Sequence, residues 1–226
     1  MESAVTRRIG VYGGTFDPIH KGHLRVATAL CEAFAFDQFL FVPAFVPPHK
    51  RSREIASPYH RYAMTVLATM NDDRMQVSTI EIETPTRPYT IETLARLQAQ
   101  MPEERLFFIM GADSFAEVTS WYAYEQLLTK YDVIVAARPG YDVKMQTLAA
   151  HLPDDLRGRV VDLRGQRRPD LKDFATPRIF LTDYVAVDIA ATEVREKARK
   201  GLLLDDDVPQ AVAEYIVKYR LYKSDE

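Results

Sequence analysis

Residues 13–23 read GGTFDPIHKGH, directly after a short apolar run, Arg8-Ile9-Gly10-Val11-Tyr12, that has the pattern of a buried strand. With its glycines, an Asp-Pro pair and two histidines, the stretch suits neither a core nor a helix interior. Beyond it, the spacing of Leu24, Ala27, Leu30 and Cys31 predicts a helix from about Gly22 to Phe34. Glycines at 13 and 14 let the chain turn sharply off the strand and bring backbone N–H groups close to a ligand. Asp17-Pro18 sets a further bend. The helix N-terminus then turns its free N–H groups and positive dipole end to the same place. His20 and His23 stand three apart across that entry and can add N–H donors for phosphate oxygens. The stretch reads as a strand-to-helix phosphate cradle.

Working outward, apolar runs alternate with helical patterns. Gln38–Pro43 is a second buried strand that its proline stops, followed by a basic, proline-rich loop, AFVPPHKRSREIASP. Ser57-Pro58 opens a helix through about Met70, with an N-cap and a first-turn proline. Met75–Glu83 alternates like a strand, and Thr90–Gln100 is helical. Arg105–Met110 and Asp132–Ala137 are strongly apolar strands ending in GADS and RPG. Repeated units of this kind predict an α/β fold, a parallel sheet flanked by helices. Ligands of such sheets bind at the carboxyl ends of the strands, where GGTFDPIHKGH, GADS and RPG all fall. Past Gly140 the pattern weakens: residues 141–175 are of mixed polarity, with Arg164, Arg167 and Arg168 clustered. Arg178–Leu181 and Tyr184–Val187 read as short strands, Thr192–Lys200 as a helix ending at Gly201, and Val208–Tyr219 as the final helix. Asp205-Asp206-Asp207 is expected to cap that last helix.

Composition bounds the function. A chain of 226 residues, 47% hydrophobic and 27% charged, is large enough for one domain with a real core. A formal charge of −3 argues against a nucleic-acid binder but not against a small anionic ligand held locally. The single cysteine, Cys31, allows no internal disulfide and lies in an apolar helical pattern, which points to a reducing cytoplasm and to simple packing. No apolar run reaches membrane-spanning length, and MESAVTRR lacks a signal-peptide core.

Other phosphate and metal motifs fail on specifics. A Walker A loop needs Gly-Lys-Ser/Thr, and Gly22 is followed by His23; a dinucleotide fingerprint needs G-x-G-x-x-G, which Gly13-Gly14 does not supply. Metal ligation by His20 and His23 would need partners, and the remaining histidines are His49, His60 and His151, so no metal site is expected.

GGTFDPIHKGH resembles the signature of the nucleotidylyltransferases that share an HxGH motif, here His20-Lys21-Gly22-His23. Its Phe-Asp-Pro form resembles the bacterial nicotinate mononucleotide adenylyltransferases in particular. PPHK (47–50), RPYTIETL (87–94), GADSF with Trp121 downstream, ARPGY (137–141), ATEVR (191–195) and YIVKYRLY (215–222) resemble further landmarks of that family, in order. The resemblance implies a Rossmann-like sheet over 1–187 with a small helical part over 188–226, forming one nucleotidylyltransferase domain over 1–226. It implies transfer of AMP from ATP, carried as its Mg2+ complex, to the phosphate of nicotinate mononucleotide. The products are deamido-NAD, a precursor in NAD biosynthesis, and pyrophosphate. An anionic phosphate nucleophile needs no general base, which fits the lack of a Ser-His-Asp or Cys-His set.

By the same resemblance, His20, His23 and Lys50 would be the catalytic groups on the triphosphate. Gly13, Gly14, Thr15, Phe16, Gly111, Asp113, Arg138, Thr192 and Arg195 would bind ATP. His49, Thr90, Trp121 and Tyr122 would bind nicotinate mononucleotide, with Trp121 stacked on the pyridine ring. ATP and nicotinate mononucleotide are then the partners, with no nucleic acid or membrane, and a homo-oligomer is left open. One departure stands out: where the family has Ile-Ser-Ser-Thr, this chain has Ile189-Ala190-Ala191-Thr192, two hydroxyls fewer beside ATP. The alternatives are an adenylyltransferase for nicotinamide mononucleotide or another phosphate acceptor, and a non-catalytic nucleotide-binding homologue.

Overall fold

The computed structural model describes residues 6–45, 55–84, 88–136, 152–165, 168–169, 175–184 and 189–223. The run that opens the chain becomes β1 (Arg8–Gly14), and helix α1 (Lys21–Phe34) follows the turn. Then come β2 (Gln38–Pro43), α2 (Pro58–Thr69), β3 (Met75–Val77) and α3 (Thr90–Gln100). β4 (Arg105–Gly111) runs straight into a short α4 (Ala112–Ala116), with α5 (Tyr124–Lys130) and β5 (Asp132–Ala136) after it. The last elements are α6 (Asp154–Arg157), β6 (Val160–Asp162), β7 (Ile179–Thr182), α7 (Ala191–Arg199) and α8 (Gln210–Lys218).

All strand pairs are parallel, in the order β3-β2-β1-β4-β5-β7-β6. The chain winds outward from β1 to β3, then returns to lay β4 on the other side of β1, so the winding reverses between those two strands. Helices following the two strands must leave in opposite directions there, and the crevice over their carboxyl ends is the natural ligand site. Gly14, opposite Pro43, lies at that end of β1, and Gly111, opposite Ala136, at that end of β4.

The sheet is covered on both faces, so its strands read as continuous apolar runs. Val11, Leu40, Phe108, Val133 and Leu181 pack with Leu94, Phe115 and Leu127 of α3, α4 and α5. Phe39, Phe41, Phe107, Ile134 and Phe180 pack on the opposite face with α1, α2, α7 and α8, through Leu30, Phe34, Met64, Val194 and Val212. Gly10 is required by this second layer: a Cβ there would stand 2.8 Å from the Phe39 ring and 3.0 Å from Phe36. Cys31 is buried in the same layer, and burial raises its thiol pKa to about 11, so it packs as a small apolar group.

Several expectations meet the structure directly. Ser57 caps α2, its hydroxyl accepting from the His60 N–H at 3.2 Å, with Pro58 in the first turn. Gly201 takes φ 66 at the end of α7, and the Leu202 N–H returns to the Lys197 carbonyl, a left-handed helix stop. The expected strand 75–83 is cut short, because after Val77 the chain turns and the Glu83 and Thr84 N–H groups bond back to Thr79 and Glu81. Asp205-Asp206-Asp207 does not cap the final helix, which starts later with Pro209 at its N-cap. Those residues form a turn whose Asp207 carbonyl accepts from the Lys21 N–H at 2.8 Å and whose Asp207 carboxylate pairs with Lys197 at 2.6 Å, tying α1 to α7. Tyr184 lies outside any strand, and 185–188 lie outside the described residues. The parallel strand β6 had no legible pattern within 141–175.

Candidate active site

The turn after β1 is built differently from the simplest glycine loop. Neither Gly13 nor Gly14 adopts a positive φ; the left-handed residue is Phe16, at φ 48. Its ring is buried, meeting Tyr12, Phe41 and His23 edge-on at centroid distances of 5.5, 5.6 and 5.1 Å. A Cβ on Gly14 would come within 2.8 Å of that ring. Gly14 is therefore glycine because Phe16 folds back over it, which anchors a non-glycine left-handed residue by packing.

α1 begins at once beyond this turn. His20 is its N-cap, with extended backbone, and no acidic residue occupies the first turn to neutralise the positive end of the helix. The His20 N–H donates to His23 Nδ1 at 3.2 Å, and the two imidazoles stack at 3.6 Å between centroids. Since Nδ1 of His23 accepts, its neutral ring carries the proton on Nε2 and offers an N–H donor from that atom. His20 is buried, while His23 is part-exposed. Two imidazoles and the N-terminus of α1, its Lys21 N–H already taken by the Asp207 carbonyl, converge at the carboxyl end of β1, an arrangement that can hold phosphate oxygens and neutralise charge on them.

Across the switch point, α4 starts immediately after β4. A Cβ at Gly111 would meet nothing within 4 Å, so packing does not demand glycine there. Asp113 is exposed in the first turn of α4, and the N-cap is Gly111, so Asp113 does not cap the helix. Thr90 is the first residue of α3. Trp121 is half-buried, packed against the core and edge-on to Phe108 at 6.4 Å. Tyr122 is exposed and stacks on exposed Tyr89 at 4.4 Å, which joins the start of α3 to the 121–123 turn. The two segments expected around the pyridine nucleotide thus meet in space.

Thr192 is exposed at the start of α7, whose N-cap, Ala190, makes no side-chain capping bond. Arg195 departs from expectation. Instead of reaching open space for ATP, it is buried, donating from Nη1 to the Asp17 carbonyl at 2.8 Å and lying 3.7 Å from the Asp17 carboxylate. Its place one turn into α7 points it beneath the turn that follows β1. Lys50, His49 and Arg138 lie outside the described residues.

Sequence reasoning missed the groups under the loop. Asp17 is buried; its Oδ1 accepts the Ala56 N–H at 3.1 Å and the Tyr222 hydroxyl at 2.8 Å. Arg61, 1% exposed, donates to the carbonyls of Ala56, Thr15, Ala44 and Phe45. Burial raises the Asp17 pKa, against the opposing pull of Tyr222, the Ala56 N–H, Arg195 and Arg61. Burial also lowers the Arg61 pKa and raises that of Tyr222. A signal for Arg61 existed: Arg61, Met64 and Thr65 share the inward stripe of α2, a guanidinium where an apolar residue belongs. For Tyr222 there was none.

Comparison with known proteins decides the family. The Cytidylyltransferase-like family model matches residues 11–197. A protein named "Probable nicotinate-nucleotide adenylyltransferase" from Tropheryma whipplei (strain Twist) is 36% identical over 94% of this chain and 98% of its own length. One of the same name from Geobacter sulfurreducens is 36% identical over 96% of this chain and 99% of its own. The chain belongs to the nicotinate-nucleotide adenylyltransferase family. Among solved structures, the Plasmodium falciparum nicotinic acid mononucleotide adenylyltransferase complexed with NaAD matches at TM-score 0.70 and 20% identity, over 96% of this chain and 97% of that one. The same enzyme complexed with APC matches at TM-score 0.69 and 19% identity over the same shares of the two chains. At such identities these likenesses establish the fold, a Rossmann-like parallel sheet between two helical layers. The family was legible from the HxGH stretch and its companions.

Proposed function

We infer that this chain transfers AMP from ATP to nicotinate mononucleotide, the activity its family relatives are named for. The carrying observation is the stacked His20–His23 pair at the N-terminus of α1, over the switch point of the sheet. A phosphate oxygen of nicotinate mononucleotide attacks the α-phosphorus of ATP in line. One P–O bond forms, the bond to the β-phosphate oxygen breaks, and pyrophosphate leaves with the negative charge. No proton need move at the nucleophile, so the protein's work is orientation and charge stabilisation. His23 offers Nε2–H and His20 its ring to the triphosphate, the α1 N-terminus adds its positive dipole end, and Lys50 supplies a cation.

ATP enters as its Mg2+ complex, the ion being part of the substrate. Gly13, Gly14, Thr15, Phe16, Gly111, Asp113, Arg138 and Thr192 are assigned to ATP; Trp121, Tyr122, Thr90 and His49 are assigned to nicotinate mononucleotide. The stacked Tyr89–Tyr122 pair supports that second assignment. Residues 1–226 work as one domain, a reading supported by the shared core of β-strands, α7 and α8. The cytoplasm, where ATP is made available, suits a chain whose one cysteine is a buried free thiol; among the described residues no helix is long and apolar enough to cross a membrane.

Incubation with ATP, Mg2+ and either nicotinate or nicotinamide mononucleotide tests the assignment through pyrophosphate release and identification of the dinucleotide. Release with the acid is expected. Release with the amide alone would replace the acceptor, and release with neither at high ATP would overturn adenylyl transfer.

A further inference from the structure

Four side chains from distant parts of the sequence meet under the phosphate loop: Asp17 within it, Arg61 from α2, Arg195 from α7 and Tyr222 from beyond α8. Their bonds run to the backbone that shapes the loop. The Arg61 fork takes the carbonyl of Thr15, next to left-handed Phe16, at 2.7 Å. It also takes those of Ala44, Phe45 and Ala56, at 2.5, 3.1 and 3.1 Å. The Ala44 N–H donates to the Gly14 carbonyl at 2.9 Å. The loop backbone, the end of β2 and the approach to α2 are thus registered to one another through a single guanidinium.

Tyr222 acts on the next residue along. Its hydroxyl holds the same Asp17 oxygen that receives the Ala56 N–H, while Arg195 holds the Asp17 carbonyl. His20 and His23 follow within six residues on the same chain. None of these four groups needs to touch substrate to matter. A loop displaced by even ~1 Å moves its donors off the charge that develops at the phosphorus, and such misplacement is worth up to ~100-fold in rate.

We propose that Arg61 and Tyr222 are positioning residues for adenylyl transfer, holding the phosphate loop through Thr15 and Asp17 so that His20 and His23 face the transition state. The proposal rests on the adenylyltransferase reading. It gives the last turn of the chain a part in catalysis far away in sequence. It also explains the arginine: a lysine ammonium is a point donor and cannot span carbonyls that a planar fork reaches together.

The test uses Tyr222→Phe, Arg61→Lys, Asp17→Asn and the double variant Asp17→Asn/Tyr222→Phe, with Asp132→Asn as a control. Asp132 is buried at the amino ends of β4 and β5, where Arg105 pairs with it, so it reports loss of stability away from the site. Expected are kcat losses of about tenfold for Tyr222→Phe and up to ~100-fold for Arg61→Lys, with KM for nicotinate mononucleotide within about twofold. Asp132→Asn should lower Tm while leaving kcat at low temperature unchanged. The double variant should lose no more than the worse single one, because Tyr222 acts through Asp17. Amide exchange at residues 15–17 should quicken at least about tenfold in Tyr222→Phe. Unchanged kcat and exchange in Tyr222→Phe and Arg61→Lys would overturn the proposal, as would losses in kcat that scale with Tm across all variants including Asp132→Asn. A wild-type chain that releases no pyrophosphate would refute the functional reading alone; the exchange measurement then still decides the positioning claim.

Discussion

Ala190-Ala191 is where this chain's own chemistry can be dialled. Ala190 is the N-cap of α7 at φ −100 and ψ 126, a conformation that serine adopts without strain, and it makes no side-chain bond to the helix. Replacing it in Ala190→Ser supplies an oxygen for a free N–H of the first turn, worth about 1 kcal/mol relative to alanine. For a chain of this size, that raises Tm by about 2–4 °C in the absence of ligand. If the α7 N-terminus faces the triphosphate, Ala190→Ser/Ala191→Ser also restores hydroxyl donors to a charged ligand, each worth about 1.5–3 kcal/mol. The lower end alone is about tenfold in affinity. Calorimetric titration of wild type and double variant with a non-hydrolysable ATP analogue in Mg2+ separates the two effects, thermal melts reading the cap and the isotherm the contact. A Tm gain with an affinity change below about twofold would show that α7 stands off the phosphates and that the alanines have no bearing on ATP.

His23→Ala removes a ring donor that the His20 N–H aims outward, so kcat should fall by about 100- to 1,000-fold with KM for ATP little changed; steady-state kinetics with comparable turnover would remove its transition-state role. Gly14→Ala places a Cβ 2.8 Å from the Phe16 ring and should cost about 1–3 kcal/mol in urea denaturation, with turnover reduced as the left-handed residue is displaced; an unperturbed midpoint would contradict the packing account of that glycine. Asp132→Asn weakens a bidentate pair with Arg105 at 2.6 and 2.9 Å that is buried on the aspartate side, and should lower stability by about 3 kcal/mol without affecting KM; a rise in KM for either substrate would break the separation between the two ends of the sheet.

The legible part of the site was the part that local pattern encodes. GGTFDPIHKGH announces a turn and a helix start because glycine, proline and the end of an apolar run constrain the backbone where they stand, and β4 with its GADS ending repeats the signal. Even there, the reason for Gly14 changed: sequence suggests backbone freedom, and the structure shows room for the Phe16 ring. Asp205-Asp206-Asp207 misled because aspartates before a helix usually cap it, while here the turn they form is used by Lys21 and Lys197.

By itself, then, the sequence determined the βα order, the strand ends where a ligand is expected, and the family, since each follows from neighbours along the chain. Only the tertiary structure decided that Arg195 is buried against Asp17, that Arg61 is a buried fork, and that Tyr222 closes onto a loop 205 residues earlier. Helical periodicity tells that a side chain faces inward; what it meets there depends on how the sheet is wound, and that winding brings Tyr222 onto Asp17.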